Sequence, residues 1–376
     1  MITVHLCNDY SGSEVHKNLC SGIARAGRSP HILTTIRSSS LRSKNMPPPF
    51  GVQVEHFEYN NIFVKYFPLV KVLYLYRKVY SEWSRLFTQS RNGSTVLIAH
   101  TLWSDGMVAY QLSRKMELPF VLVVRNTDMN IFLPKLPHYR WLIGLMLKRS
   151  EAVIFVSEAH RRRFSNTWPK LYNTIRVAYT IPNGIDSYWI KNQIRVSTYR
   201  PARICFVGRF VAGKNLKRLI TAVNVAREVI HDLECWLIGD THDELLRITR
   251  LHSTPDYIRV IPRVESRNDL RRLYRSCRVM AMPSLRETFG LVYVEALSQG
   301  CSVICSQDEG FDGAVDDDAV KVVDPRSIEK ISNAIVHLIG RYPKGIAPDH
   351  VTDIVGRFSW DRVAEDYMEV INDFRL

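Results

Sequence analysis

Short apolar runs recur along this chain at intervals that each leave room for one amphipathic helix, and this alternation constrains the fold more than any other feature. The runs fall at 2–7, 30–35, 52–57, 95–99, 120–124 and 152–156, then at 203–207, 235–238, 258–261, 279–282, 302–305 and 319–323. Strands rich in Val, Ile and Leu without strict alternation are covered on both faces, and helix-length gaps are crossovers, so each series predicts a parallel sheet. Between the series, Ile-Pro-Asn-Gly-Ile-Asp at 181–186 breaks regular structure, and a polar stretch runs on to Arg200. At 376 residues the chain is too long for one core, and two Rossmann-like α/β domains are the simplest account. The boundaries expected are 1–183 for the first domain, 184–202 for a linker, 203–357 for the second domain and 358–376 for a closing helix. Ligands of open α/β sheets bind beyond the carboxyl ends of the strands, so two facing sheets would place a site in a cleft.

Several function classes are excluded early. The first apolar run ends in Asn8 and Asp9 and is too short for a secretory core. The longest apolar runs, 118–124 and 141–147, are far below the length of about 20 residues that a membrane span requires. The seven cysteines are odd in number and scattered, which fits reduced thiols of a cytosol better than a disulfide framework. Cys301 and Cys305 lack partners with metal-ligand spacing.

Charge is unevenly distributed. Residues 1–183 hold 24 Lys/Arg against 10 Asp/Glu, whereas residues 184–376 hold 27 of each, so the net +14 lies entirely in the first half. A one-sided basic field attracts a polyanion, an anionic acceptor or an anionic membrane surface. Residues 62–88 interleave Phe63, Tyr66, Phe67, Tyr74, Tyr76, Tyr80, Trp83 and Phe87 with Lys65, Lys71, Arg77, Lys78 and Arg85. That mixture suits a lipid headgroup interface, and it equally suits a core helix with a solvated basic face. The triplet Arg161, Arg162 and Arg163 reads as a solvated face. Nucleic-acid signatures are lacking: the sequence has no zinc-finger spacing, RRM aromatic motif or KH-type loop.

Two segments after strands carry chemistry. Gly208 and Arg209, followed by Lys214 and Asn215, put two cations five residues apart on a glycine-containing loop, a composition able to hold a diphosphate without a metal. The spacing is not that of a P-loop. Further on, Pro-Ser-Leu-Arg-Glu-Thr-Phe-Gly-Leu-Val-Tyr-Val-Glu-Ala at 283–296 carries Glu287 on a loop and Glu295 on the helix that follows. The N–H groups opening that helix suit an anionic sugar phosphate, and a carboxylate such as Glu295 can accept from two vicinal hydroxyls. The same residues would also serve as a helix cap and a surface side chain. Asp316, Asp317 and Asp318 read as an exposed turn, and no metal is assigned.

Two glutamates seven residues apart, preceded by Pro-Ser and enclosing Phe-Gly, resemble the signature of retaining GT-B glycosyltransferases of family four, the group that includes phosphatidylinositol mannosyltransferases. The resemblance extends to Val207-Gly208-Arg209 with Lys214-Asn215-Leu216, to the 181–186 turn, to His100 and Gly106, to Arg125-Asn126-Thr127-Asp128, and to a variant glycine loop at Tyr10-Ser11-Gly12-Ser13-Glu14. It implies two Rossmann-like domains facing across a cleft, an acceptor-binding first half and a nucleotide-sugar-binding second half, with the closing helix crossing back to the first domain. It further implies that Gly208, Arg209 and Lys214 meet the donor diphosphate and Glu295 the ribose. Glu287, with the backbone of Phe289, Gly290 and Leu291, would hold the sugar and its phosphate. Arg263 and Val264 would border the base. Gly12 and Ser13 would lie by the phosphates or acceptor, His100 near the reacting centre, and Arg125, Thr127 and Asp128 by the acceptor.

The function expected on this basis is metal-independent hexosyl transfer, with retention, from a nucleotide diphosphate sugar to a hydroxyl. Arg209, Lys214, Glu287 and His100 are the catalytic candidates, no cofactor is required, and a UDP-sugar is the expected donor. The basic half points to a lipid-linked glycan acceptor in bacterial surface polysaccharide synthesis, such as O-antigen, lipopolysaccharide or capsule, with the protein peripheral on the cytoplasmic membrane face. Rival readings are a nucleotide-sugar epimerase, a sugar phosphorylase, or a non-enzymatic basic protein that binds membrane or nucleic acid.

Overall fold

A computed structural model describes residues 2–36, 38–46, 48–58, 68–86 and 95–373. The chain divides into two units. Unit 1 comprises the chain up to Val156, His160–Gly184 and the segment from Trp360 onward; unit 2 comprises Ser157–Ala159 and Ile185–Ser359.

Unit 1 is built on β1 (Ile2–Leu6), β2 (Ser29–Ile36), β3 (Gln53–Glu58), β4 (Thr95–Ala99), β5 (Phe120–Val124), β6 (Ala152–Phe155) and β7 (Ala178–Thr180), in the order β3-β2-β1-β4-β5-β6-β7. Every pairing in it is parallel. Unit 2 holds β8 (Arg203–Val207), β9 (Glu234–Ile238), β10 (Ile258–Ile261), β11 (Val279–Ala281), β12 (Ser302–Ser306) and β13 (Val320–Val323), in the order β10-β9-β8-β11-β12-β13, again all parallel. Both sheets therefore follow the doubly wound strand order of dinucleotide-binding folds. The central strands β4, β5, β6 and β12 are buried at every residue, which explains their unbroken runs of apolar and small side chains. Each of the twelve strands anticipated from the apolar runs is present. β7, three partly exposed residues, was not anticipated, because no apolar run marks it.

The helices that position the functional residues are α1 (Glu14–Arg25), α2 (Pro68–Leu86), α3 (Ser104–Met116) and α4 (Arg140–Arg149) in unit 1. Unit 2 contributes α5 (Leu216–Arg227), α6 (Arg267–Arg275) and α7 (Leu291–Ser298), and α8 (Trp360–Asn372) returns the chain to unit 1. There α8 lies on α1: Val363, Ala364, Tyr367 and Ile371 share a core with Leu19 and Ile23, and Arg25 pairs with Asp361 at 2.6 Å. Gly22 is the residue that allows this approach, since a Cβ there would stand 2.6 Å from the Trp360 carbonyl oxygen. All seven cysteines are free and buried.

Candidate active site

In a doubly wound sheet the strand order reverses at one point, and the loops leaving the two strands on either side of it diverge to leave a crevice. In unit 2 those strands are β8 and β11. The loop after β8 carries Gly208, Arg209 and Lys214, and the loop after β11 carries Glu287, so topology alone brings the two sequence motifs together. Lys214 Nζ donates to Glu287 Oε2 at 2.5 Å, with both side chains mostly shielded. A partly desolvated pair of this kind is a stronger contact than a surface ion pair.

Several bonds hold the two loops in register. Leu285 N donates to the Gly213 carbonyl at 2.8 Å, and Asn215 donates through Nδ2 to the carbonyls of Pro283 and Pro325 at 2.9 and 2.6 Å. Asn215 occupies the left-handed region (φ 60°, ψ 31°) immediately before α5, a conformation that Asn tolerates better than other side chains. The residue was read in the sequence only as part of a motif; the signal for its role was a short amide at a helix start. Gly208, at φ 153°, ends β8 where few side chains fit. Arg209 is exposed and has no carboxylate partner among the described residues.

A second clasp was not anticipated. Glu287 N donates to Glu309 Oε2 at 2.7 Å, and Gly310 N donates to the Glu287 carbonyl at 3.4 Å, so the loop after β12 closes over the Glu287 loop. A Cβ on Gly310 would overlap the Thr288 carbonyl. Glu309 lies on the loop that follows β12.

Gly290, in the left-handed region at φ 81° and ψ 63°, turns the chain into α7. The first N–H groups of that helix, from Leu291 on, have no intrahelical acceptor by geometry. The Phe289 ring is buried against Phe311 and Phe358, so only its backbone is available to a ligand. One turn into α7, Glu295 accepts from the Tyr274 hydroxyl at 3.5 Å. Burial pushes its carboxyl up to about 7, the Tyr274 hydroxyl opposing this, Asp186 adding to it and Arg267 opposing it. Arg263 and Val264 follow β10 at the sheet edge, where Arg263 is exposed and pairs with Glu265 at 2.8 Å, and Val264 packs against the core of the unit.

The corresponding reversal in unit 1 lies between β1 and β4, and it is lined differently. Gly12 ends a turn of 3-10 helix, held by its N–H on the Asp9 carbonyl, and a Cβ there would overlap the Asp9 carboxylate. Ser13 caps α1, its hydroxyl accepting from Val15 N. His100 leaves β4 only 1% exposed, its Nε2 2.9 Å from His5 Nδ1, with the His16 ring edge-on at 4.7 Å. His5 also contacts the Thr3 hydroxyl at 3.1 Å. Burial holds all three imidazoles neutral, with His5 depressed to about 3 and His16 and His100 well below their usual range. His100 Nδ1 is buried without a hydrogen-bond partner among the described residues. Neither His5 nor His16 was singled out in the sequence, since a lone histidine in a strand or helix carries no signal of a partner distant in the chain.

Arg125 donates from Nε to the His100 carbonyl at 3.0 Å, which brings these two expected site residues into contact. Asp128 is fully buried and committed internally: its carboxylate accepts from Leu102 N at 3.1 Å and Arg125 N at 2.9 Å. Burial lifts its pKa to about 6 against these N–H groups. Thr127 is exposed. The aspartates at 316–318 form a turn before β13 in which Asp317 meets His350 at 2.6 Å and Asp318 meets Lys321 at 3.1 Å.

Comparison with known proteins agrees with this fold. The family model described as Glycosyltransferase Family 4 matches residues 10–188, and the one described as Glycosyl transferases group 1 matches residues 190–343. Among curated proteins, the chain is 28% identical over 180 residues to a D-inositol 3-phosphate glycosyltransferase of Corynebacterium kroppenstedtii, an alignment spanning 45% of this chain and 40% of that one. Among solved structures, sucrose-phosphate synthase of Thermosynechococcus elongatus superposes with a TM-score of 0.66 at 16% identity, over 99% of this chain and 98% of that one. Anabaena HepE, solved in complex with UDP, superposes with a TM-score of 0.69 at 16% identity, over the whole of both chains. At such identities the structural likeness establishes the fold, that of GT-B glycosyltransferases. Matched in succession by the two models over most of its length, the chain belongs to the family 4, group 1 glycosyltransferases.

Proposed function

We propose that the protein transfers a hexosyl unit, with retention, from a nucleotide diphosphate sugar to an acceptor hydroxyl. The observation that carries this reading is the Lys214–Glu287 pair at the strand-order reversal of unit 2, with Arg209 exposed beside it and the opening turn of α7 following. In this reading Lys214 and Arg209 take the donor diphosphate, and the Glu287 carboxylate, released from Lys214, accepts from sugar hydroxyls. Glu295 holds the ribose, Gly290 and Leu291 present backbone N–H groups to the phosphate, and Arg263 and Val264 border the base. As the acceptor oxygen bonds to the anomeric carbon, the bond from that carbon to the diphosphate breaks, and the acceptor proton passes to a donor phosphate oxygen on the same face. Lys214 and Arg209 stabilise the charge that grows on the departing diphosphate. To unit 1 this reading assigns His100, with Arg125 on its carbonyl, a role at the reacting centre, Thr127 a contact with the acceptor, and Gly12 and Ser13 the phosphates or acceptor, while Asp128 braces the Arg125 loop. UDP is the favoured nucleotide, since HepE, of the same fold, binds it.

The acceptor is proposed to be a lipid-linked glycan of bacterial surface polysaccharide synthesis, met at an anionic cytoplasmic membrane face. Helix α2 supports this. Val72, Leu75 and Val79 are buried, while Leu69, Val70, Leu73 and Tyr80 remain 41 to 48% exposed, with Arg77 and Lys78 among them. Trp141, 67% exposed, and Leu145 continue the exposed apolar character on α4, which packs on α3 as α2 does. Rings and aliphatic groups beside cations suit a headgroup layer. Phe63, Lys65, Tyr66, Phe67 and Phe87 lie outside the described residues, as does the side chain of Arg85. No described helix is long and apolar enough to cross a membrane. The names of the relatives favour a second reading for the acceptor, a soluble phosphorylated polyol or sugar, which the same basic half would also attract.

The test is a matrix of UDP-, GDP- and dTDP-hexoses against lipid-linked glycans and soluble polyol phosphates, with product release and anomeric configuration followed by NMR. Transfer with retention, lost in Lys214→Ala, is expected. Epimerisation without an acceptor, or donor turnover indifferent to Lys214→Ala and Glu287→Gln, would overturn the reading.

A further inference from the structure

Unit 2 contains a second basic concavity that none of the proposed transfer chemistry uses. A pocket of about 460 Å³ opens between the segment after the 181–186 turn and α6, and its lining includes Lys191, Arg195, Arg271 and Arg275 but no carboxylate. The contrast with the rest of the same helix is local. Of the four arginines on α6, Arg267 pairs with Asp186 at 2.6 Å and Arg272 with Asp269 at 3.1 Å. Arg271 and Arg275, one helical turn apart on the pocket side, pair with no acid among the described residues.

Their partners are neutral. Arg275 donates from Nε to Gln299 Oε1 at 2.9 Å and from Nη2 to the Asn192 and Gln193 carbonyls at 3.2 and 3.4 Å. Arg271 donates from Nη1 to Asn192 Oδ1 at 3.0 Å, while its Nε is buried with no acceptor among the described residues. Behind them Arg200, 2% exposed, donates to the carbonyls of Cys277 and Gln299 and to Cys301 Sγ at 3.9 Å. Three guanidinium groups are thus gathered on uncharged acceptors, which satisfy hydrogen bonds but leave the charge uncompensated. Burial and then repulsion from Arg271 and Arg200 lower the Arg275 pKa, as crowding of like charge requires. An unpaired donor on a desolvated cation is costly unless something supplies an acceptor.

We propose that this pocket binds a phosphate group carried by a small molecule, with Arg271 and Arg275 on the phosphate oxygens and Lys191 and Arg195 at the rim. A phosphate monoester meets both unmet needs at once, bringing negative charge and several acceptor oxygens to a planar donor fork that matches its geometry. The pocket exceeds a bare phosphate and lies in the range of sites for small metabolites, so the group is attached to a body of sugar or polyol size. The site is separate from Lys214, Glu287 and Arg209, and it does not depend on the transfer reaction.

The experiment is titration calorimetry of the full chain with glycerol 3-phosphate, in wild type, Lys191→Glu/Arg195→Glu, Arg271→Gln and Lys214→Ala. Lys191 and Arg195 are exposed, so the double variant tests the site even where Arg271→Gln disturbs folding. Affinity is expected to fall about tenfold or more in the double variant and to hold in Lys214→Ala. Absence of binding at millimolar ligand, binding indifferent to the double variant, or binding lost instead in Lys214→Ala would each overturn the proposal. A parallel flotation assay with phosphatidic acid vesicles separates sources: if loss of vesicle binding follows the same double variant, the phosphate is a lipid headgroup; if not, it is a free metabolite.

Discussion

The two units share a strand order and differ in what they bury where that order reverses. In unit 2 the reversal is lined by Arg209 in solvent and by Lys214 paired with Glu287, while the core behind is apolar apart from buried thiols and a few polar groups. In unit 1 the same place is filled by ionisable groups taken out of water: His100 in contact with both His5 and His16, with Asp105 and Asp128 fully or nearly buried. One topology thus yields an electrostatic clamp in one copy and a nearly neutral polar interior in the other. Position in the fold selects where chemistry goes, and local burial selects which protonation states are available for it.

The largest effect expected separates the two linings by activity. Lys214→Ala should lower kcat by about 10²- to 10³-fold, the loss typical of one preorganised charge stabiliser, in initial-rate assays with the donor that proves active. An equal loss in a variant confined to the unit 1 histidines, with Lys214→Ala near wild type, would break the comparison.

Next comes acid stability, where the buried histidines of unit 1 act together. A histidine held neutral when folded takes up a proton more readily once unfolded, so its contribution is intact above about 6.5 and is lost as pH falls below that value, at about 1.4 kcal/mol per pH unit each. Asp105 has the opposite sign: burial raises it to about 7, the native state keeps its proton, and its contribution grows as pH falls from 7 toward 4. Asp105→Asn should therefore steepen the acid loss of unit 1 by up to about 1.4 kcal/mol per pH unit, measured as urea midpoints between pH 7 and 5. An unchanged slope would mean that Asp105 is ionised in the folded protein.

A smaller effect tests Glu295. With its pKa near 7, the carboxylate that would accept from ribose hydroxyls is half formed at neutral pH, so donor KM should fall several-fold between pH 6 and 8, and Glu295→Gln should flatten that dependence. The smallest is conformational: Gly290→Ala forces a side chain into the left-handed region against the Tyr293 ring and should cost about 1 to 2 kcal/mol in thermal unfolding.

The sequence made the sheets legible because β4, β5 and β12 are buried throughout, and such strands announce themselves as unbroken apolar runs. β7 was silent for the converse reason, being short and partly exposed. Lys214 and Glu287 could be paired in advance only through the resemblance, yet the strand order explains their meeting without it. Residues whose function is to tie loops together were the ones missed. Asn215 and Glu309 act through bonds to backbone atoms 68 or more and 22 residues away, respectively, and nothing local distinguishes them from ordinary loop residues. Asp128 shows the reverse: as an acidic residue in a motif it is expected at a ligand, and the structure commits both of its oxygens to N–H groups of its own unit.

The return of α8 to α1 makes unit 1 a discontinuous domain with unit 2 inserted into it. Ile185 and Ser359, the first and last residues of the inserted segment, pair as a parallel bridge, so the host can receive the insert with little loop closure. During synthesis on the ribosome the order of completion is therefore inverted. Unit 2 has all its strands before α8 emerges, while unit 1, begun first, must wait with Leu19 and Ile23 uncovered until the last helix is made. The nascent first half is the part that a chaperone would have to shield, and a stop codon before Trp360 would remove the helix that completes the N-terminal half of the protein.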